Sequence, residues 1–131
     1  MKKSADNHDH IIKDGKFIGE FEVIYQNSSD IPWHQDETAN AVFTDIDLTI
    51  LKHFQKKEGF RTICEICCGM GYVTDRFSRE LADVDVTGID VSKTAVEKAQ
   101  TMFPNIHFEV FDIINDEAFY THNLRRFEQQ V

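Results

Sequence analysis

The sequence lacks the features that mark membrane, secreted and nucleic-acid-binding proteins. No apolar run approaches the roughly 20 residues of a membrane span, and the first residues contain no signal-peptide core. The formal net charge is -9 and the basic residues form no stripe, which argues against a nucleic-acid surface. The 3 cysteines are crowded into one segment and do not resemble a disulfide framework. We therefore expect a protein of the reducing cytoplasm, without membrane contact, whose partners are small molecules or proteins.

The strongest structural signal is the stretch TICEICCGMG, residues 62–71. Ile63 and Ile66 give it the apolar, β-branched character of a strand that is covered on both faces. Gly69 and Gly71 follow, and glycine allows both a sharp turn and a close approach of a ligand to the backbone. The next residues, YVTDRFSREL, carry an apolar stripe at helical spacing. This order of strand, glycine loop and helix predicts a doubly wound α/β fold.

Two further strands are predicted downstream, separated by a helix. The segment VDVTGID ends at Asp90, and IHFEVF is followed directly by Asp112. Between them Ser92 is a suitable N-cap for a helix that Pro104 ends. Right-handed crossovers bring the carboxyl ends of successive parallel strands to one edge of the sheet. The carboxylates of Glu65, Asp90 and Asp112 are therefore expected to converge on one ligand.

The flanking segments give weaker signals. Residues 1–16 are polar and without periodicity, so we expect a mobile tail followed by one domain at residues 17–131. The run FIGEFEVIY fits a strand or a short helix equally well. Residues 36–55 predict a helix with a continuous apolar stripe, and the last residues predict a second amphipathic helix. The first stripe comprises Ala39, Val42, Ile46, Ile50 and Phe54, and the second comprises Tyr120, Leu124, Phe127 and Val131.

The acidic residues at the strand ends indicate which ligand the site accepts. A dinucleotide fingerprint requires a third glycine where this chain has Thr74, and Glu65 would repel a pyrophosphate. A ligand that carries an ammonium group and a sulfonium suits Glu65 better. The two oxygens of Asp90 match the two hydroxyls of a ribose, and Asp112 would accept from an adenine amino group.

Three ordered motifs resemble those of class I S-adenosylmethionine-dependent methyltransferases: ICEICCGMGYVTDRF, VTGIDVSKTAVEKAQ and IHFEVFDI. The resemblance implies a Rossmann-like three-layer sandwich with a mainly parallel sheet and S-adenosylmethionine as the cofactor. It implies that the acidic residue and glycines of the first motif and the following tyrosine hold the methionine moiety. It implies further that the second motif holds the ribose and the third the adenine. The implied cofactor-binding residues are Glu65, Cys67, Gly69, Gly71, Tyr72, Asp90, Val91, Asp112 and Ile113.

Two departures from the family pattern accompany this resemblance. Cys67 stands where the family most often has glycine. A small cysteine side chain fits there, but it narrows the space through which the ligand approaches. The family also continues beyond its third strand with further strands, and residues 115–131 contain no such segment. We therefore expect a fold that is truncated after the third strand, flanked by an N-terminal and a C-terminal helix.

The activity that the resemblance implies is methyl transfer to a small molecule by in-line displacement, for which no metal and no obligatory catalytic side chain are needed. Residues 17–33 are a candidate lid over the site, and His34 is a candidate acceptor-side residue. The alternative is a non-catalytic or degenerate module, in which a second copy or another partner covers the exposed sheet edge.

Two rival patterns are weaker. Asp45, Asp47 and Thr49 resemble the nucleophile motif of haloacid-dehalogenase-type phosphatases, which requires a buried strand before the aspartates. Here an apolar helical stripe runs through the motif instead. Cys64 and Cys67 suggest a zinc or redox pair, but their odd separation on a strand sends the side chains to opposite faces. We expect the cysteines to be structural.

Overall fold

The computed structural model describes residues 7–115 of the chain. The elements are α1 (Asn7–Ile11), β1 (Ile12–Lys13), β2 (Lys16–Phe17), α2 (Phe21–Asn27), a 3-10 turn (Pro32–His34), α3 (Gln35–Thr38), α4 (Val42–Glu58), β3 (Thr62–Ile66), α5 (Tyr72–Glu80), β4 (Asp85–Asp90), α6 (Lys93–Met102) and β5 (His107–Val110). The predicted C-terminal helix lies outside the described residues. No helix within residues 7–115 has the length and apolar character of a transmembrane span.

The central sheet consists of 3 strands in the order β3-β4-β5. Both strand pairs are parallel, with Ile63 opposite Val86 and Gly88 opposite Phe108. The three predicted strands are therefore present, in the predicted order and direction. This confirms the predicted α/β class with a mainly parallel, Rossmann-like sheet.

The helices α4, α5 and α6 pack on the same face of this sheet. Leu48 of α4 and Phe77 of α5 belong to the same core cluster as Val86, whereas Ala99 of α6 belongs to the cluster that contains Phe108. Val86 and Phe108 share a face because Phe108 lies opposite Gly88, two residues beyond Val86. Two right-handed crossovers in the same direction require this arrangement. Residues 7–115 thus supply the sheet and one of the two helical layers of the predicted sandwich.

The helix predicted at residues 36–55 is interrupted, and its predicted apolar stripe does not form the core. Thr38 ends α3, and α4 begins only after Ala41, whose ψ of 155° is extended. The buried residues of α4 are Thr44 and Leu48. The Thr44 hydroxyl donates to the Thr38 carbonyl oxygen at 2.7 Å, so a polar side chain is satisfied on the buried face. Val42, Ile46, Ile50 and Phe54 are 47% to 63% exposed, whereas Ala39 is buried as expected.

Paired substitutions on α4 would test this corrected orientation. We expect Ile50→Ala, on the exposed face, to change the free energy of unfolding by less than about 0.5 kcal/mol. Leu51→Ala should cost about 1 to 2 kcal/mol, because Leu51 is partly buried against the cluster around Leu48 and Phe77. Urea denaturation of both variants measures the difference. A larger loss for Ile50→Ala than for Leu51→Ala would contradict the orientation.

Residues 7–17 contain regular structure where the sequence predicts a mobile tail. A short helix precedes a two-stranded antiparallel ladder in which Ile12 pairs with Phe17. Asp14 and Gly15 form the turn, with φ values of 51° and 72°. An Asp-Gly pair with both residues in the left-handed region is the preferred two-residue hairpin turn. The Asp-Gly dipeptide was thus an available signal for this hairpin.

Candidate cofactor-binding site

A cavity of about 440 Å³ lies at the carboxyl ends of β3 and β4. Its volume lies within the range of small-molecule binding sites. Aromatic side chains from the N-terminal segment face acidic and small side chains at the strand ends. The lining residues are Phe21, Tyr25, Trp33, Gln35, Thr38, Glu65, Cys67, Cys68, Val73, Asp90 and Val91.

Glu65 is a largely enclosed carboxylate at the end of β3. Its Oε2 accepts a hydrogen bond of 2.5 Å from the hydroxyl of Thr74, which is 0% exposed. Burial raises the pKa of Glu65 to about 7, the Thr74 hydrogen bond lowers it in part, and the charge of Asp90 raises it further. Within the described part of the chain, no ion pair between Glu65 and a cationic side chain is formed. A bound cation would therefore stabilise the ionised form of this carboxylate.

Asp90 ties the glycine loop to the start of α6. Its Oδ2 accepts from the Gly69 backbone nitrogen at 2.8 Å, and its Oδ1 accepts from that of Ser92 at 2.9 Å. The residue is 8% exposed, so both bonds are shielded from water. Each carboxylate oxygen can accept more than one hydrogen bond. Asp90 can thus shape the loop and still accept from ligand hydroxyls.

The glycine loop has little room for side chains. Gly71 has a φ of 83°, and a Cβ there would lie 2.6 Å from the Phe108 ring. A Cβ on Gly69, at φ 55°, would lie 2.3 Å from Oε1 of Gln35. Cys67 also adopts a positive φ, 61°, although it has a side chain. The cysteine in place of the family's glycine therefore occupies a conformation that favours glycine, and its side chain faces the cavity.

The structure brings some of the predicted site residues together and leaves others apart. Glu65, Cys67, Asp90 and Val91 line the cavity, and the two glycines shape the loop beside it. The remaining predicted residues are Tyr72, Asp112 and Ile113, which do not line it.

Tyr72 and Asp112 make contacts away from the cavity. Tyr72 packs its ring on Phe103 at 5.6 Å. Asp112 accepts hydrogen bonds from the side chain of Asn115 at 2.8 Å and from the backbone nitrogen of Ile114 at 3.0 Å. Both hydrogen bonds lower the pKa of Asp112, and the one from the Asn115 side chain has the larger effect. The Asp112 carboxylate is engaged in its own turn.

Part of the predicted lid, residues 17–33, lines the cavity, but sequence reasoning missed Gln35 and Thr38, which continue this roof. We call residues 21–38 the N-terminal cover. Tyr25 is 3% exposed, and its hydroxyl accepts from Gln35 Nε2 at 2.7 Å. The Gln35 Oε1 in turn accepts from the Met70 backbone nitrogen at 2.8 Å. Burial raises the pKa of Tyr25 to about 12, so this hydroxyl stays protonated. Only the aromatic run around Tyr25 signalled the cover in the sequence.

Glu22 fastens the cover to the N-terminus of α6. Its carboxylate accepts from the Ser92 hydroxyl at 2.5 Å, from the Thr94 hydroxyl, and from the Thr94 backbone nitrogen at 3.2 Å. Partial burial raises the pKa of Glu22, but the hydrogen bonds from Ser92 and Thr94 outweigh it and hold the pKa below its usual value. A carboxylate at a helix N-terminus is also favoured by the helix dipole. Lys98 adds a bond from its Nζ to the Tyr25 carbonyl oxygen at 2.9 Å.

Replacing Glu22 should loosen this attachment. We expect Glu22→Gln to lower the free energy of unfolding by about 1 kcal/mol, because it removes a charged cap from α6. The same change should weaken ligand binding to the cavity about three- to tenfold, which calorimetric titration would measure. Glu37→Gln is the matched control, since Glu37 is exposed and its side chain is 76% accessible. Equal effects of the two substitutions would show that the contact of Glu22 with α6 does not hold the cover.

The rival phosphatase pattern does not form its site. Asp45 and Asp47 lie on α4, and Asp45 forms an ion pair of 2.5 Å with Arg76. The nucleophile of such phosphatases needs the end of a buried strand instead. The phosphatase interpretation is therefore excluded for these residues.

Comparisons with known proteins agree with the resemblance to methyltransferases. Residues 63–123 match the family model described as a methyltransferase domain. Over 56 residues the chain is 36% identical to the protein named "Putative methyltransferase 235L" of Invertebrate iridescent virus 6. The aligned segment covers 43% of this chain and 21% of that protein. The predicted resemblance to class I methyltransferases is thus confirmed.

Solved structures of methyltransferases agree with this chain in fold. The plantazolicin methyltransferase BpumL in complex with SAH has a TM-score of 0.51 at 24% identity, over 84% of this chain and 40% of that chain. Its complex with a triazolic desmethylPZN analog and SAH has a TM-score of 0.53 at 22% identity, over 74% and 40%. At these identities the likeness shows the fold alone. The chain spans about a fifth of the viral protein and about two fifths of BpumL.

Proposed function

We propose that the cavity binds S-adenosylmethionine and that the methyltransferase domain transfers its methyl group to a small molecule. The observation that supports this proposal is that Glu65 and Asp90 line the same cavity. One is an enclosed carboxylate without a cationic partner among residues 7–115, and the other lies at the end of the adjacent strand in the same cavity. An ammonium group and a ribose diol are the complementary ligand groups.

The residues present fit this cofactor in part. Glu65 would hold the ammonium group, Asp90 the ribose hydroxyls, and Val91, which is 48% exposed, offers an apolar surface for the adenine. For Asp112 to contact the adenine, it would have to exchange its bond with Asn115. The complexes of the neighbouring BpumL with SAH support the same ligand class.

The chemistry requires positioning rather than a catalytic side chain. The sulfonium supplies an activated methyl carbon, so the lone pair of the acceptor forms the new bond while the carbon–sulfur bond breaks and S-adenosylhomocysteine leaves. The role of the chain is to hold both reactants in line and away from water. The cover contributes apolar shielding through Phe21 and Tyr25.

Calorimetric titration tests the proposal directly. We expect S-adenosylhomocysteine to bind the chain with a Kd below about 100 μM, which corresponds to roughly 5 to 6 kcal/mol. Adenosine should bind more weakly because it lacks the ammonium group, and NAD should not bind because its pyrophosphate would meet Glu65. Tighter binding of NAD than of S-adenosylhomocysteine would reject the proposal.

A second candidate function is a non-catalytic, partner-binding module. It is favoured by the outer edge of β3, which has no strand neighbour within the described range and carries Ile66 at 49% exposure. A second copy or a partner could pair with this edge. Gel filtration at several protein concentrations, with and without S-adenosylhomocysteine, separates the two candidates. A cytoplasmic location suits either one, since Cys64, Cys67 and Cys68 are free thiols.

A further inference from the structure

Four aromatic rings form a continuous row from the cavity to the N-terminal hairpin, and we call Tyr25, Trp33, Phe21 and Phe17 the aromatic row. The ring centroids of successive members lie 5.8, 6.2 and 6.2 Å apart. Tyr25 is 3% exposed at the inner end, Trp33 is 43% exposed at the cavity wall, and Phe17 is 71% exposed at the outer end. The row therefore presents ring surface that the core of the protein does not use.

The backbone holds this surface in place under strain. Trp33 and His34 have φ values of 54° and 49°, so two consecutive residues with side chains occupy the left-handed region. This region is unfavourable for residues other than glycine, and such strain concentrates at ligand-binding sites. Core packing does not explain it here, because Trp33 remains 43% exposed. This backbone conformation places the Trp33 ring at the wall of the cavity.

The charges around the cavity restrict what the aromatic row can bind. Glu65 and Asp90 both line it, and no lysine, arginine or histidine is among its described lining residues. A negatively charged group that entered here would lose its hydration, and the chain supplies no basic side chain in the lining to compensate it. An uncharged ring, or one with a positive charge, would instead stack favourably on the aromatic side chains.

We propose that the aromatic row is the acceptor-binding surface of this site and that the acceptor is a flat, ring-bearing compound without negative charge. This inference rests on the proposed function, in which the methyl donor occupies the acidic side of the cavity. The acceptor ring lies against Trp33 and Phe21, opposite Glu65 and Asp90. A larger acceptor extends outward along the row to Phe17.

Three quinolines that differ in the charge of one substituent test whether the site disfavours negatively charged acceptors. Quinoline-3-carboxamide is neutral, 3-(aminomethyl)quinoline is cationic and quinoline-3-carboxylate is anionic. Saturation-transfer NMR on the full chain, with and without S-adenosylhomocysteine, gives their affinities. We expect the first two to bind and the carboxylate to bind at least about tenfold more weakly. Equal binding of the carboxylate and the carboxamide, or no binding of any quinoline, overturns the inference.

Substitutions in the aromatic row test the location. We expect Trp33→Leu to weaken carboxamide binding about tenfold and Phe17→Leu about threefold. Phe43→Leu is the control, because Phe43 is 75% exposed on α4 and lies outside the row; it should change nothing. Affinity for S-adenosylhomocysteine should stay within about twofold of wild type in Phe17→Leu and Phe43→Leu, neither of which lines the cavity.

The outcomes separate this inference from the proposed function. Binding of S-adenosylhomocysteine with a carboxamide affinity that Trp33→Leu leaves unchanged rejects only the aromatic row. Carboxamide binding that depends on Trp33, in a chain that does not bind S-adenosylhomocysteine, rejects the methyl donor and leaves the aromatic row as a ring-binding surface without an acceptor role. Trp33 is the only tryptophan of the sequence, so its fluorescence emission gives an independent measure of ring binding to the wild type.

Discussion

Asp90→Asn is expected to lower the free energy of unfolding by about 3 kcal/mol and to weaken binding of S-adenosylhomocysteine about 100-fold. The carboxylate accepts from the backbone nitrogens of Gly69 and Ser92. An asparagine keeps one oxygen but turns an NH2 group toward the other backbone N–H, which leaves two donors facing each other. The ribose hydroxyls would lose their charged acceptor at the same time. Urea denaturation and calorimetric titration measure the two effects separately.

The matched control for this variant is Asp85→Asn. Asp85 begins the same strand but is exposed, so the identical chemical change should alter stability by less than about 0.5 kcal/mol. Ligand affinity should be unchanged. If both variants lose similar stability, the hydrogen bonds of Asp90 to the loop do not account for the effect.

Glu65 should make both stability and ligand binding depend on pH. Its pKa is raised from 4.5 to about 7 by burial, so the folded chain retains a proton that the unfolded chain has released. The stabilisation is fully present below about pH 4.5 and is lost as pH rises through about 7, for a total of about 3 kcal/mol. Glu65→Gln should remove this slope and leave the chain more stable than wild type at pH 8. Thermal or urea unfolding at several pH values measures it.

Ligand binding should change with pH in the opposite direction. An ammonium group pairs with ionised Glu65, so the affinity for S-adenosylhomocysteine should rise about thirtyfold from pH 5.5 to 8. Glu65→Gln should bind weakly at every pH, whereas Glu97→Gln, at an exposed position on α6, should follow the wild type. A wild-type affinity that is flat across this range would show that Glu65 does not meet the ligand's charge.

The sheet and its acidic strand ends could be predicted because their signals are local. Apolar β-branched runs mark the strands, and the sequence of Gly69 and Gly71 after Glu65 marks the loop. Right-handed connectivity then brings Glu65 and Asp90 to one edge, as the cavity lining shows. These predictions needed only neighbouring residues and a general rule of topology.

A lid at residues 17–33 was predicted, but the contacts that hold the N-terminal cover were not, because they join distant parts of the chain. Glu22 meets Thr94, and Gln35 meets Met70, across separations of 72 and 35 residues. Nothing in the local pattern specifies such pairs. The prediction that the apolar stripe of α4 is buried was wrong for a related reason. The helix is broken at Ala41, and Thr44, whose hydroxyl is hydrogen-bonded to Thr38, occupies a buried position.

The glycine loop differs in one respect from the loops that cradle phosphates. Its consecutive backbone N–H groups, from Cys68 to Gly71, donate to Ile89, Asp90, Gln35 and Cys68 in turn. A phosphate arriving here would find these amides engaged and two carboxylates beside it. Abundant cellular nucleotides such as ATP would gain no anchor for their phosphates at this loop. The hydrogen bonds that hold the loop therefore also disfavour the binding of phosphate-bearing metabolites.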